Sequence, residues 1–256
     1  MSKLQTELHR LYLPKAAAAP QVQTTEATLI DQDGMVRAMV MELSRPADWE
    51  ALDQLWQGVQ SDLELPAPAI AVSGEDGFQL WFSLAEAVSV AQAQAFLHSL
   101  RARYWPDIAA KRIRLLPVAD PDAPGRFQHA KPVPACQVGT GNWSAFVTPD
   151  LAPMFAETPW MDIPPGDDGQ ASVLRRLTSI SPAAFAAAWQ QLHPDAIEAT
   201  ESESQAPSAQ PTLPPLHAQT ATTALSPRQF LLQVMNDDSA PLALRVEAAK
   251  ALLPYG

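Results

Sequence analysis

With one cysteine, Cys136, in 256 residues, the chain can form no intrachain disulfide, and a reducing compartment fits. Glycine is scarce as well, ten against 25 prolines, which points to stiff loops and linkers. No apolar run approaches the roughly 20 residues needed to cross a bilayer, and no cationic segment precedes one. A cytoplasmic protein with no membrane partner is therefore expected. Charged residues make up only 18% of the chain, so it is not disordered through charge. Basic residues are outnumbered, 17 Lys and Arg against 28 Asp and Glu, and the net charge is −11. Such a field does not attract polyanions, so contact with nucleic acid needs a local basic patch.

What is present is 47% hydrophobic, enough for one sizeable core or one domain with an appendage. Composition changes near residue 194. Residues 194–225 hold no Gly, Lys, Arg, Phe, Trp or Tyr, but are rich in Ala, Thr, Ser, Gln and Pro. They read as a disordered linker between a domain at 1–193 and a module at 226–256. In that module Ser226, Pro227 and Gln229 open one short helix, NDDSAP turns the chain, and Val246, Ala249 and Leu253 line a second. A helical hairpin of this size needs a protein partner, a copy of itself or the main domain to dock on.

Within 1–193, KLQTELHRLY predicts a helix over 3–12. Segments 25–30 and 36–43 alternate around DQDG as a hairpin. Trp49, Leu52, Leu55, Trp56, Val59 and Leu63 are spaced as one helical face. Strands follow at 68–73 and 77–83. Ser89 and Gln92 form a capping box that starts a helix closed by Pro106, and 112–118 is a further strand. From residue 36 the order is β-α-β-β-α-β, so an α+β, ferredoxin-like palm core is expected, extended by the N-terminal hairpin and by C-terminal helices such as 182–192. That topology sets strands 36–43 and 77–83 side by side in the centre. Alternation turns Met39, Met41, Leu43, Phe78, Leu80 and Phe82 toward the helices. It turns Ala38, Val40, Glu42, Gln79, Trp81 and Ser83 toward an open face.

The stretch SGEDGFQLW (73–81), following a strand with a carboxylate, resembles the nucleotide hairpin of the archaeo-eukaryotic primase (primase-polymerase) superfamily. The resemblance spans roughly 36–148. It implies a nucleotide or nucleic-acid surface built from Ser73, Gly74, Gly77, Gln79 and Trp81, with Arg114 and Lys131 toward the phosphates. It also implies catalytic carboxylates. Glu42 falls on the second acid of an Asp-x-Asp pair, and Asp120 or Asp122 could supply a third. The chain departs from the pattern twice: Val40 stands where the first acid belongs, and Gln79 where a histidine belongs. Two-metal phosphoryl transfer needs several carboxylates, and an amide neither carries charge nor shuttles a proton.

The expectation is a non-catalytic, primase-like accessory or adaptor of nucleotide or single-stranded DNA, from a mobile element or phage-derived locus. No cofactor is expected, or Mg or Mn if nucleotide binding is retained, with Glu42 as a ligand. The alternatives are a weakly active nucleotidyltransferase using Glu42 with Asp120 or Asp122, and a protein-interaction scaffold. Restoring Val40→Asp and Gln79→His would, on this reading, restore metal-dependent nucleotide binding. Residues 101–131 carry seven Lys and Arg against three acids, the local asymmetry that a phosphate backbone needs. An equally simple reading is a solvated helix end beside a charged edge strand. The 226–256 segment resembles the helical motif of phage terminase small-subunit-like proteins. Asp162, Asp167 and Asp168 read as acids before a helix start, with a metal loop as the alternative.

Overall fold

The structure, a computed structural model, describes residues 2–14, 29–120, 123 and 126–193. The linker and helical-hairpin expectations at 194–225 and 226–256, and Asp122, lie outside the described residues.

The chain is α+β. Helix α1 (Lys3–Leu11) precedes strand β1 (Met35–Ser44), helix α2 (Trp49–Ser61), strands β2 (Ala69–Val72) and β3 (Gly77–Ser89), helix α3 (Val90–Tyr104) and strand β4 (Ile113–Leu116). A two-stranded ribbon of β5 (Val118–Ala119) and β6 (Phe127–Gln128) follows, then β7 (Ala145–Val147), α4 (Asp167–Arg175) and α5 (Pro182–Leu192). The main sheet is antiparallel in the order β4-β1-β3-β2-β7, so the two strands expected in the centre are neighbours there.

Local signals account for the element ends. Ser2 with Gln5 and Ser89 with Gln92 close capping boxes on α1 and α3. The Asp48 carboxylate accepts from the Ala51 amide and starts α2. The strand expected at 112–118 is broken instead: Pro117 offers no N–H to the ladder, β4 stops at Leu116, and the chain turns into the ribbon. Of the expected N-terminal hairpin, the described part is one bridge between Ile30 and Val36.

One face of the sheet packs as its alternation predicts. Met39, Met41, Leu43, Phe78, Leu80 and Phe82 are buried against α2, α3 and α5. The other face is not open. Helices α1 and α4 lie across it, and Ala38, Val40 and Trp81 join Leu11, Tyr12, Phe146 and Leu174 in a second buried cluster. The Trp81 ring meets Tyr12 and Phe146 edge-on, with centroids 5.3 and 5.8 Å away. Burying each large apolar side chain there stabilises the fold by about 1.5–3 kcal/mol. That gain is why a face with Ala38, Val40 and Trp81 on it recruits a cover.

Candidate functional site: a polar pocket at the uncovered end of the sheet

Ala38, Val40 and Glu42 follow one another on the same side of β1. The two helices cover the face at Ala38 and Val40. At Glu42 they do not, and a pocket of about 380 Å³ remains. Its floor is one cross-strand row, in which Arg114 of β4 stands opposite Glu42 of β1, and Glu42 opposite Gln79 of β3. Its wall is the loop from Gln128 through His129, Lys131 and Val133 to Gln137, which faces the turn carrying Ser73 and Glu75.

The floor is a fixed hydrogen-bond chain. The Trp81 indole Nε1–H can only donate, and it gives its proton to Gln79 Oε1 at 2.9 Å. Gln79 Nε2 is thereby turned toward Glu42 and donates to Oε2 at 2.8 Å. The other carboxylate oxygen, Oε1, lies 3.5 Å from the Arg114 guanidinium. The Glu42 side chain is 8% exposed and that of Arg114 51%, so the acid is at the bottom and its partner at the mouth.

At the opposite lip Lys131 Nζ donates to Gln137 Oε1 at 3.1 Å and stands 3.8 Å from Glu75. Buried Gln137 in turn donates to the Ser73 carbonyl at 3.0 Å, so the loop is tied to the hairpin. His129 is held as the neutral imidazole. Its Nε2–H donates to the Ala38 carbonyl at 3.0 Å, an atom that can only accept, and its Nδ1 accepts from the Ala130 amide at 2.7 Å. Burial pushes its pKa down to about 4, against the smaller opposing pull of the Ala38 carbonyl.

The structure therefore brings Glu42, Ser73, Gln79, Arg114 and Lys131 to one pocket. It assigns the other expected residues different work. Trp81 is buried and forms no stacking platform; it acts on the pocket through Gln79. Gly74 and Gly77 are steric requirements of the hairpin. Gly74 has φ +80°, and a Cβ there would sit 2.7 Å from the Ser144 amide nitrogen; one on Gly77 would sit 2.7 Å from the Leu43 carbonyl. Four amides of the turn are also already used. Glu75 and Gly77 donate to Ser73 Oγ, Ser73 donates to the Gly77 carbonyl, and Gly74 to the Pro159 carbonyl. The hairpin thus offers no ready cradle of N–H groups for a phosphate.

Asp120 lies past Val118, where its amide donates to Arg126 in the ribbon, and it does not line the pocket. Val40 is fully buried in the second cluster, so Val40→Asp would bury a carboxylate there rather than complete an acid pair. Asp167 and Asp168 occupy the first turn of α4, where the helix dipole favours them, and Asp168 pairs with Lys3 at 3.0 Å.

Among the described residues, no group of three or more His, Cys, Asp or Glu is placed to hold a metal ion. Glu42 and Glu75, the carboxylates among the described residues that line the pocket, each face a cation. That donor set does not fit a two-ion centre. No helix among the described residues is long and apolar enough to cross a membrane. His129, Gln137 and Ser144 also line the site, and no sequence signal marks them. They come from a Pro-rich irregular stretch with no periodicity to read, and only the folded loop brings them in.

No family model matches the chain, and no curated protein matches it.

Proposed function

We propose that the chain is a non-catalytic, primase-like accessory protein that holds a nucleotide, free or at the end of a single strand, in the pocket over Glu42 and Gln79. The observation that carries this reading is the convergence of Glu42, Ser73, Gln79, Arg114 and Lys131 around one pocket of about 380 Å³. That volume falls in the range of small-ligand sites, roughly 300–1,000 Å³. Arg114 and Lys131 at the mouth supply the charge a phosphate needs. With Trp81 buried, affinity rests on polar contacts inside the pocket rather than on base stacking along an exposed sheet. The non-catalytic part rests on Val40 and Asp120. The first is sealed in a core and the second follows β5 outside the pocket lining, so among the described residues Glu42 has no companion acid on the floor.

Isothermal titration of the full chain with a nucleoside triphosphate, with and without Mn²⁺, tests the reading, beside titration with a short single-stranded DNA. Saturable binding that weakens in an Arg114→Ala, Lys131→Ala double variant is expected, with no chain extension when a primed template is supplied. Absence of heat with both ligands leaves the protein-interaction scaffold. Metal-dependent chain extension would restore the nucleotidyltransferase.

A further inference from the structure

The pocket's charges cancel overall, but only Glu42 lies deep; Glu75, 54% exposed, stands with Lys131 and Arg114 at the mouth, which keeps one net positive charge. Glu42 and Glu75 stand against Arg114 and Lys131, and His129 is neutral. Across the pocket as a whole, a bare polyphosphate therefore meets no net positive field. What the pocket has is polarity along its depth. The acid on the floor is 8% exposed, whereas the cations at the mouth are 51% and 73% exposed. The ligand that complements this arrangement is dipolar, with hydrogen-bond donors leading inward and negative charge left at the mouth.

The floor narrows the choice further. Trp81 and Glu42 together fix the Gln79 amide, so its orientation is set by partners that leave no alternative. One Nε2 hydrogen goes to Glu42; among the described residues the second has no partner. A carboxylate accepts about four hydrogen bonds, and here Glu42 takes one from Gln79 and the ion pair of Arg114. The floor is therefore one donor beside a carboxylate with acceptor capacity to spare. Of the standard bases, only guanine offers the complement on one edge: two adjacent donors, N1–H and the N2 amine, next to the O6 acceptor. Adenine and cytosine each bring a single amine beside acceptors, and uracil and thymine bring one N–H between two carbonyls.

We propose that this pocket reads guanine, with the Glu42 carboxylate accepting from N1–H and N2–H, Gln79 Nε2 donating to O6, and the phosphates held at the mouth by Arg114 and Lys131. The proposal rests on the nucleotide reading of the pocket and adds the base to it. The role it gives Glu42 is recognition, and it needs no metal.

The test is a ligand series on the unaltered full chain: GTP, ITP, ATP and inorganic tripolyphosphate, each by isothermal titration. Inosine keeps N1–H and O6 but lacks the N2 amine. GTP should bind tightest, ITP weaker by on the order of tenfold, and ATP and tripolyphosphate weaker again. A Glu42→Gln variant, shown by circular dichroism to be folded, should lose the preference for GTP over ATP. ITP binding as tightly as GTP, or a GTP preference that survives in Glu42→Gln, overturns the base assignment and leaves a nucleotide pocket that does not read the base. Failure of all four ligands to bind overturns the nucleotide reading as well.

Discussion

His129 couples the pocket to pH. Both ring nitrogens are engaged as the neutral form requires, Nε2–H on the Ala38 carbonyl and Nδ1 under the Ala130 amide. Protonation would put a proton where Nδ1 now accepts, and a charge where burial disfavours one. The unfolded histidine titrates near its ordinary value of 6.5 and the folded one near 4. Between those values the unfolded chain binds more protons, so the contribution is fully present above pH 6.5 and is lost as pH falls toward 4. Urea unfolding at pH 7 and pH 4.5 should differ by about 1–3 kcal/mol from this residue. His129→Gln keeps a donor for Ala38 and cannot titrate, so it should flatten that part of the profile. An unchanged slope in the variant would show that His129 does not set this part of the pH dependence. Nothing in the sequence marked this histidine, because its partners are a carbonyl 91 residues away and its own neighbour's amide.

At the scale of elements, the decisive contact is α1 on the sheet. Arg37 is 4% exposed, and its guanidinium donates to four backbone carbonyls: Leu84 at 3.0 Å, His9 at 3.3 Å, Leu13 at 2.9 Å and Arg10 at 2.9 Å. Three of those carbonyls belong to the C-terminal end of α1 or the turn after it, where the helix leaves acceptors unsatisfied and the dipole favours a cation. Ser83 adds a bond to the Leu11 carbonyl at 2.7 Å. On the other side of the cover, the Gln170 amide of α4 imitates a strand. Its oxygen accepts from the Phe146 amide and its nitrogen donates to the Phe146 carbonyl, which fastens α4 to β7. Replacing Arg37 by Met keeps much of the volume and strands the carbonyls, so a loss of about 3 kcal/mol or more is expected in denaturant unfolding. Arg37→Lys should recover little, since one ammonium has three donors and no planar fork. A Met variant as stable as the parent would show that α1 is held by apolar contact alone.

At the scale of the whole molecule, the order of elements, the central strand pair and the helix starts were legible, because each is written locally in alternation, helical spacing and Ser caps. The meeting of Glu42 and Gln79 on one side followed from alternation once the strands were placed, whereas Arg114 entered only through the family resemblance and the register shows it opposite Glu42. The closed face was not read, since its covers come from residues 3–11 and 167–175, on either side of the core in sequence. A signal did exist. Ala38, Val40 and Trp81 cluster apolar residues at one end of that side of the two strands, the pattern of strands buried there on both faces. Apart from Arg37 and Ser83, which bond to carbonyls of α1 and the turn after it, polar residues on that side appear where the cover ends, at Glu42 and Gln79, and that boundary is the pocket.

A ligand docked on this floor can be detected directly. The Trp81 indole N–H reports on it without touching the ligand, because its acceptor is the same Gln79 that the ligand would engage. In a ¹H–¹⁵N spectrum, with the Trp81 indole peak assigned by its loss in Trp81→Phe, saturating GTP should move that peak along a binding curve. The indole peak of Trp189, packed against Phe96 and His193 on the helical side, should stay in place. GTP that binds while the Trp81 peak remains fixed would place the ligand elsewhere and rule out docking over Gln79.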